Sequence, residues 1–149
     1  NPTPLAVGAD APALKTVDQN GDEVDLAKEL SEGVSLVYFY PKADTPGCTK
    51  QACNLRDFRV QLNAKGIKVF GVSSDKPAAQ KKFEEKYQLP FTLIADHSGD
   101  VIKAFGVKTN AKGFASRQSF LIKDGKVIYH QPKASPTTQA QDAIAALGE

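Results

Sequence analysis

Cys48 and Cys53 carry all the sulfur in this 149-residue chain, which has two cysteines and no methionine. Both lie in one stretch, YFYPKADTPGCTKQACNL, residues 38 to 55. An apolar run ends at Tyr40, a loop follows through Pro41-Lys42-Ala43-Asp44-Thr45-Pro46-Gly47, and the pattern then turns helical at Cys48. A strand–loop–helix junction of this kind presents unpaired backbone N–H groups to whatever sits at the helix start. Those dipoles favour a thiolate over a thiol. Thr45 is near enough in sequence to offer a hydroxyl or to cap the helix. Gly47 permits close backbone approach, while Pro41 and Pro46 restrict the loop. The loop is built like an anion pocket.

The five-residue spacing to Cys53 decides what the pair can do. In an intact helix the two residues would stand ~140° apart around the axis, with Cα atoms about 8.6 Å from each other. A disulfide tolerates at most ~7 Å, so the pair cannot bridge while both remain helical. That argues against a fixed staple and for a bond that needs the helix to open. It also separates the pair from CxxC redox motifs, whose thiols share one turn. A metal site would need two further ligands, and His97 and His130 stand at no ligand-like spacing from the cysteines. The functional reading is a reactive thiolate, oxidised at sulfur to sulfenic acid and rescued by a second thiol. An external dithiol would then reduce the resulting disulfide.

The elements that must hold this junction are legible in outline. Residues 33–41 form a continuous apolar run short enough for a buried strand. After it, Ala52, Leu55, Phe58 and Leu62 recur at helical spacing up to Gly66, with Lys50, Arg56, Asp57 and Arg59 for the wet face. Residues 67–75 read as a second buried strand ending in capping residues Ser74 and Asp75. A surface helix follows with Pro77 in its first turn. Residues 91–96 give a third strand and 99–107 a short helix. Asn20-Gly21 predicts a type I′ hairpin, and Asp124-Gly125 turns a second hairpin within 117–131. In the C-terminal helix Ala140, Ala143, Ile144 and Leu147 share one face, with Gly148 past its end. Strands alternating with helices and closing in a hairpin predict an α/β fold with a mixed central sheet.

Composition narrows the class. At 41% hydrophobic and 24% charged the chain reads as one globular domain over residues 1–149, large enough for its own core. A net charge of +2, with lysines dispersed along the chain, gives no footprint for nucleic acid. No apolar run reaches the roughly 18 residues needed to span a membrane. The start, NPTPLAVGADAP, has neither a basic n-region nor an apolar h-region. Its first residue is not Met, so a processed end is expected. A cytoplasmic protein is the default reading, with a processed chloroplast or periplasmic protein as the alternative.

At the cysteines the sequence resembles a known family. YFYPKADTPGCTKQAC is similar to the P-x3-T-P-x-C-T active-site motif of peroxiredoxins. A second cysteine five positions on resembles the bacterioferritin comigratory protein or peroxiredoxin Q subfamily. The similarity continues through LRDF, GVSSDKP, LPFTLIAD, FGV and RQSFLIKDGKV, and so covers nearly the whole chain. The resemblance implies a thioredoxin-like fold with an extra N-terminal β-hairpin. It implies that Cys48 is the peroxidatic cysteine and Cys53 the resolving one. Thr45 would hydrogen-bond the peroxide, Pro41 would shield the sulfur, and Arg117 would hold the thiolate and polarise the peroxide. Pro46 and Gly47 complete the pocket. Hydrogen peroxide and organic hydroperoxides are the implied substrates and thioredoxin, or glutaredoxin, the implied reductant. A monomer with no metal, haem or flavin is expected.

Plainer readings stand beside these. Gln51 reads as a surface residue, and His97 and His130 as loop and strand-end residues rather than acids or bases. KKFEEK, residues 81 to 86, reads as a solvated helix face with i,i+3 and i,i+4 pairs. Phe114 reads as core or pocket wall. Two other functions fit the same fold: a general dithiol–disulfide oxidoreductase, and a redox-sensing or chaperone-type binding protein.

Overall fold

The computed structural model describes residues 3–147, so the expected position of Gly148 beyond the last helix lies outside the described residues. In chain order the elements are β1 (Lys15–Val17), β2 (Glu23–Asp25), α1 (Leu26–Ser31), β3 (Val34–Phe39), α2 (Pro46–Asp57), α3 (Arg59–Ala64) and β4 (Ile67–Ser73). They continue with α4 (Pro77–Tyr87), β5 (Thr92–Ala95), α5 (Asp100–Ala104), β6 (Gln118–Lys123), β7 (Lys126–Gln131) and α6 (Gln139–Leu147). Five strands form the central sheet in the order β5-β4-β3-β6-β7, and β1-β2 form a separate hairpin. β3, β4 and β5 are mutually parallel, whereas β6 pairs antiparallel with both β3 and β7. The sheet is therefore mixed, and β3 is where the parallel half meets the antiparallel half.

β3 shows why the two layers form. All six of its residues are buried, and alternate side chains serve opposite faces. Val37 and Phe39 join one core with Leu26, Leu30, Val72, Ile102, Phe105 and Phe120. Leu36 and Tyr38, with Tyr40 just beyond, join the other with Cys48, Ala52, Leu55, Phe83, Ala140 and Ala143. The second core lies beneath α2, α4 and α6, so the nucleophile's helix is seated by ordinary apolar burial. Ile144 and Leu147 pack against it from the face of α6 that the spacing indicated.

Three local expectations need correction. The first hairpin pairs Lys15↔Asp25 through Val17↔Glu23, leaving five residues in its turn. Asn20 is not left-handed, so this is no type I′ turn. The Asp18 carboxylate organises the wider loop by accepting from the N–H groups of Asn20 at 2.8 Å and Asp22 at 3.0 Å. At the second hairpin both Asp124 (φ 49°) and Gly125 (φ 84°) are left-handed, as a type I′ turn requires. The helix after Cys48 breaks at Phe58 (φ −98°, ψ 15°) into α2 and α3, although Phe58 N–H still bonds the Asn54 carbonyl. Finally, Ser74 and Asp75 do not cap α4, whose N-cap is Lys76 with Pro77 as the first helical residue. Asp75 is used elsewhere.

Candidate active site

The site lies at the C-terminal end of β3, where the chain leaves the sheet and enters α2. Pro41 is half-buried at the strand exit. The loop that follows is tied on two sides. Inside, Asp75 Oδ2 accepts from Ala43 N–H at 2.7 Å and from the Ser73 hydroxyl at 2.6 Å. Outside, Asp44 accepts from Lys86 Nζ at 3.0 Å and the Tyr87 hydroxyl at 2.8 Å, and these partners hold its carboxyl below the usual carboxylate range. Asp44 itself sits at φ 61°, a left-handed conformation that Asp tolerates better than most non-glycine residues and that its two partners hold in place. The charge cluster at 81 to 86 thus does more than face water. Lys81 and Glu84 do pair at 3.0 Å, but Phe83 is buried in the core and Lys86 clamps the loop.

Thr45 is the N-cap of α2, yet its side chain makes no cap bond; its hydroxyl donates to the Lys42 carbonyl at 2.8 Å. Pro46 is the exposed first helical residue, where a missing N–H costs nothing. Cys48 is the third residue of the helix, buried to 1% exposure. The Thr45 carbonyl receives its helical bond from Thr49 N–H at 2.8 Å, so the N–H groups of Gly47 and Cys48 precede the helical ladder and face the junction.

Arg117 arrives from the opposite half of the sheet, immediately before β6. Its Nη1 lies 3.4 Å from Cys48 Sγ and donates to Gln51 Oε1 at 2.8 Å. Gly47 makes room for it. A Cβ built there would stand 2.8 Å from Arg117 Nη2 and 3.4 Å from Cζ. The structure therefore brings Cys48, Gly47 and Arg117 together, and sets Thr45 one turn away with its hydroxyl turned back on the loop.

Cys53 is half-buried on the same unbroken helix, and neither thiol is engaged in a disulfide. Burial pushes the Cys53 thiol up, against a smaller downward pull from Arg56.

Gln51, expected at the surface, is fully buried. Three residues beyond Cys48 it stands only ~60° from it around the helix axis, and that spacing was the signal for a shared face. Its Nε2 donates to Gln139 Oε1, and Gln139 Nε2 donates to the Ser119 hydroxyl. Asn54 forms a second tie to the C-terminal helix, accepting from Ala140 N–H at 2.7 Å and donating to the Thr137 carbonyl at 3.1 Å. Nothing local in the sequence pairs residues 20 to 88 positions apart, so the roles of Gln139, Ser119 and Asp75 were not legible. His97 and His130 lie in a turn and in β7, and among the described residues no cluster of three potential metal ligands occurs.

The profile described as the AhpC/TSA family matches residues 7–131. Peroxiredoxin Bcp of Escherichia coli K12 is 46% identical over 132 residues, 83% of each chain. A chloroplastic peroxiredoxin Q of rice (Oryza sativa subsp. japonica) is 43% identical over 127 residues; they make up 84% of this chain and 58% of the rice protein. Among solved structures, the peroxidoxin BcpB of Mycobacterium tuberculosis superposes with a TM-score of 0.88 at 34% identity, covering 95% of both chains. A Xanthomonas campestris bacterioferritin comigratory protein, whose structures concern alkyl peroxide reduction, superposes at 0.84 and 27% identity over 96% of this chain and 95% of its own.

Proposed function

This chain belongs to the AhpC/TSA family of peroxiredoxins, in its Bcp/PrxQ subfamily, and from that membership we propose that it reduces peroxides at Cys48 by way of a Cys48–Cys53 disulfide. A thiol peroxidase of this type needs a sulfur nucleophile, stabilisation for the departing oxygen, and a way to reset the sulfur. The observation that carries the reading is the Arg117 guanidinium at 3.4 Å from a buried Cys48 sulfur, at the head of a helix that also holds Cys53.

The Cys48 thiolate attacks the terminal oxygen of a hydroperoxide, the O–O bond breaks, and the alkoxide or hydroxide that leaves takes up a proton. Cys48 becomes a sulfenic acid. Negative charge grows on the departing oxygen, where Arg117 and the N–H groups of Gly47 and Cys48 supply fixed positive partners. The Thr45 hydroxyl can turn from the Lys42 carbonyl to the peroxide. Pro41 shields the sulfur on the strand side, and Pro46 and Gly47 shape the helix entrance. Cys48 is 1% exposed, so a substrate presents a narrow end to Sγ, as the terminal –OOH of hydrogen peroxide and of organic hydroperoxides both do.

The second half of the cycle requires α2 to open. Cys53 then leaves the burial that disfavours its thiolate and attacks the sulfenic sulfur of Cys48; a disulfide forms and water leaves. Both thiols come from one helix, so a monomer suffices. The exposed disulfide is reduced by thioredoxin, with glutaredoxin as the other candidate dithiol. Such recycling belongs in a reducing compartment, which favours the cytoplasm. Among the described residues no helix is long and apolar enough to cross a membrane.

The test is peroxide-dependent NADPH loss with thioredoxin and thioredoxin reductase. Cys48→Ser should be inactive. Cys53→Ser should consume one equivalent of peroxide and then stall with thioredoxin. Turnover by Cys48→Ser would overturn the proposal, and undiminished steady-state turnover by Cys53→Ser would remove the intramolecular disulfide from it.

A further inference from the structure

What keeps the guanidinium on the sulfur? Arg117 offers five N–H donors and no acceptor. Its Nη1 reaches Cys48 Sγ at 3.4 Å but Gln51 Oε1 at 2.8 Å, so the shorter contact is to the amide. That amide can hold Arg117 only with its oxygen facing the guanidinium. Flipped, it would set NH2 against N–H, donor against donor, inside the protein.

The far end of Gln51 decides the matter. Its Nε2 donates to Gln139 Oε1, which forces Gln139 to present Nε2 on its other side, and that Nε2 donates to the Ser119 hydroxyl. Gln51, Gln139 and Ser119 are exposed to 0%, 1% and 1%, so no water stands ready to replace a lost partner. The donors all run one way, from Arg117 through Gln51 and Gln139 to Ser119. Ser119 is two residues beyond Arg117 on β6, so the chain of bonds returns to the segment from which it started. Each link fixes the orientation of the next. Gln139 is the first residue of α6, otherwise distant from the chemistry.

From this geometry we infer that Gln139 is a positioning residue for peroxide reduction: from the C-terminal helix it sets the orientation of the Gln51 amide and, through it, the placement of the Arg117 guanidinium against Cys48. The inference rests on the peroxidase reading above. It differs from a general bracing role for α6, because Asn54 braces α6 independently. Asn54 binds Ala140 N–H, the Thr137 carbonyl and Gln141 Oε1 without touching the relay.

The test compares two reactions of the reduced full-length protein at Cys48, oxidation by hydrogen peroxide and alkylation by iodoacetamide. Alkylation needs the sulfur but no stabilised oxygen leaving group. Gln139→Leu should lower the peroxide rate constant by about tenfold or more, in line with loss of an aligned donor, while alkylation stays within about threefold. Ser119→Ala removes only the terminal acceptor. It should lower the peroxide rate constant in the same selective way by a smaller factor, and it keeps the test alive if Gln139→Leu folds poorly. Asn54→Ala, which loosens α2 without touching the relay, should leave the peroxide rate constant at its wild-type value. Unchanged peroxide rates in Gln139→Leu and Ser119→Ala would overturn the inference, as would parallel losses in both reactions or equal losses in Asn54→Ala. A wild-type protein inert to peroxide would instead overturn the peroxidase reading, and the relay with it.

Discussion

At Gly47 the missing side chain is what makes room for Arg117. The Arg117 guanidinium fills the space a Cβ would need, with Nη2 at 2.8 Å. The backbone there is not left-handed, so Gly47→Ala would meet no strain from φ, and alanine is the better helix former. The obstacle is the end of a flexible side chain, which will move. The variant should therefore keep its melting temperature within a few degrees while peroxide reduction falls by about tenfold or more, as when an aligned donor is lost. A comparable fall in both would show that Gly47 serves the fold instead. Gly47, Cys48 and Thr45 were all legible as pocket residues because the loop–helix junction is local in sequence. Gln51 was misread for an instructive reason: its polarity suggested water, whereas its position three residues from Cys48 committed it to the buried face. Position outranks polarity when a partner waits inside, and here the partner is an arginine.

At the scale of elements, the proposed cycle needs α2 firm for one step and loose for the next. Its apolar face is seated by Ala52 and Leu55, and its polar ties to α6 run through Gln51 and Asn54. Removing the Asn54 bonds by Asn54→Ala should cost about 1 kcal/mol of helix closure, which makes the open form about fivefold more populated. Disulfide formation after a single peroxide pulse should accelerate accordingly, read by quenching and mass analysis. Amide exchange across residues 48–57 should also be faster in the reduced variant than in wild type. Equal exchange and equal disulfide rates would show that Asn54 does not restrain α2. The helix and strand pattern was readable from period alone, and β3, β4, β5 and α4 fall where the apolar runs placed them. The break at Phe58 and the five-residue first turn were not, since one depends on packing and the other on where the Asp18 carboxylate points.

Across the whole molecule, the antiparallel half of the sheet supplies Arg117 and the parallel half delivers Cys48, so the site forms only when both halves are in register. His130 reports on that half. Its ring stacks on Phe120 at 4.5 Å and 18°, and its Nε2–H donates to Gln118 Oε1 at 2.8 Å, because the Gln118 amide nitrogen is committed to Ser116. Burial pushes the His130 pKa below the ordinary histidine value. As pH falls, the unfolded chain takes up this proton first, so folding is disfavoured progressively below about pH 6.5. The melting temperature should therefore drop between pH 7.5 and 5.5, and His130→Gln should flatten that dependence; an unchanged slope would acquit His130. A different consequence follows from the two ties that hold α2 shut. In the proposed cycle, a sulfenic Cys48 has no thiol to meet while the helix is closed, and a second peroxide arriving in that interval adds another oxygen and ends the cycle as sulfinic acid. The bonds from Gln51 and Asn54 to α6 thus act as a timer on the oxidised sulfur. Their combined strength fixes the oxidant concentration at which the protein burns out, much as the rating of a fuse does, and a looser timer would give a hardier enzyme.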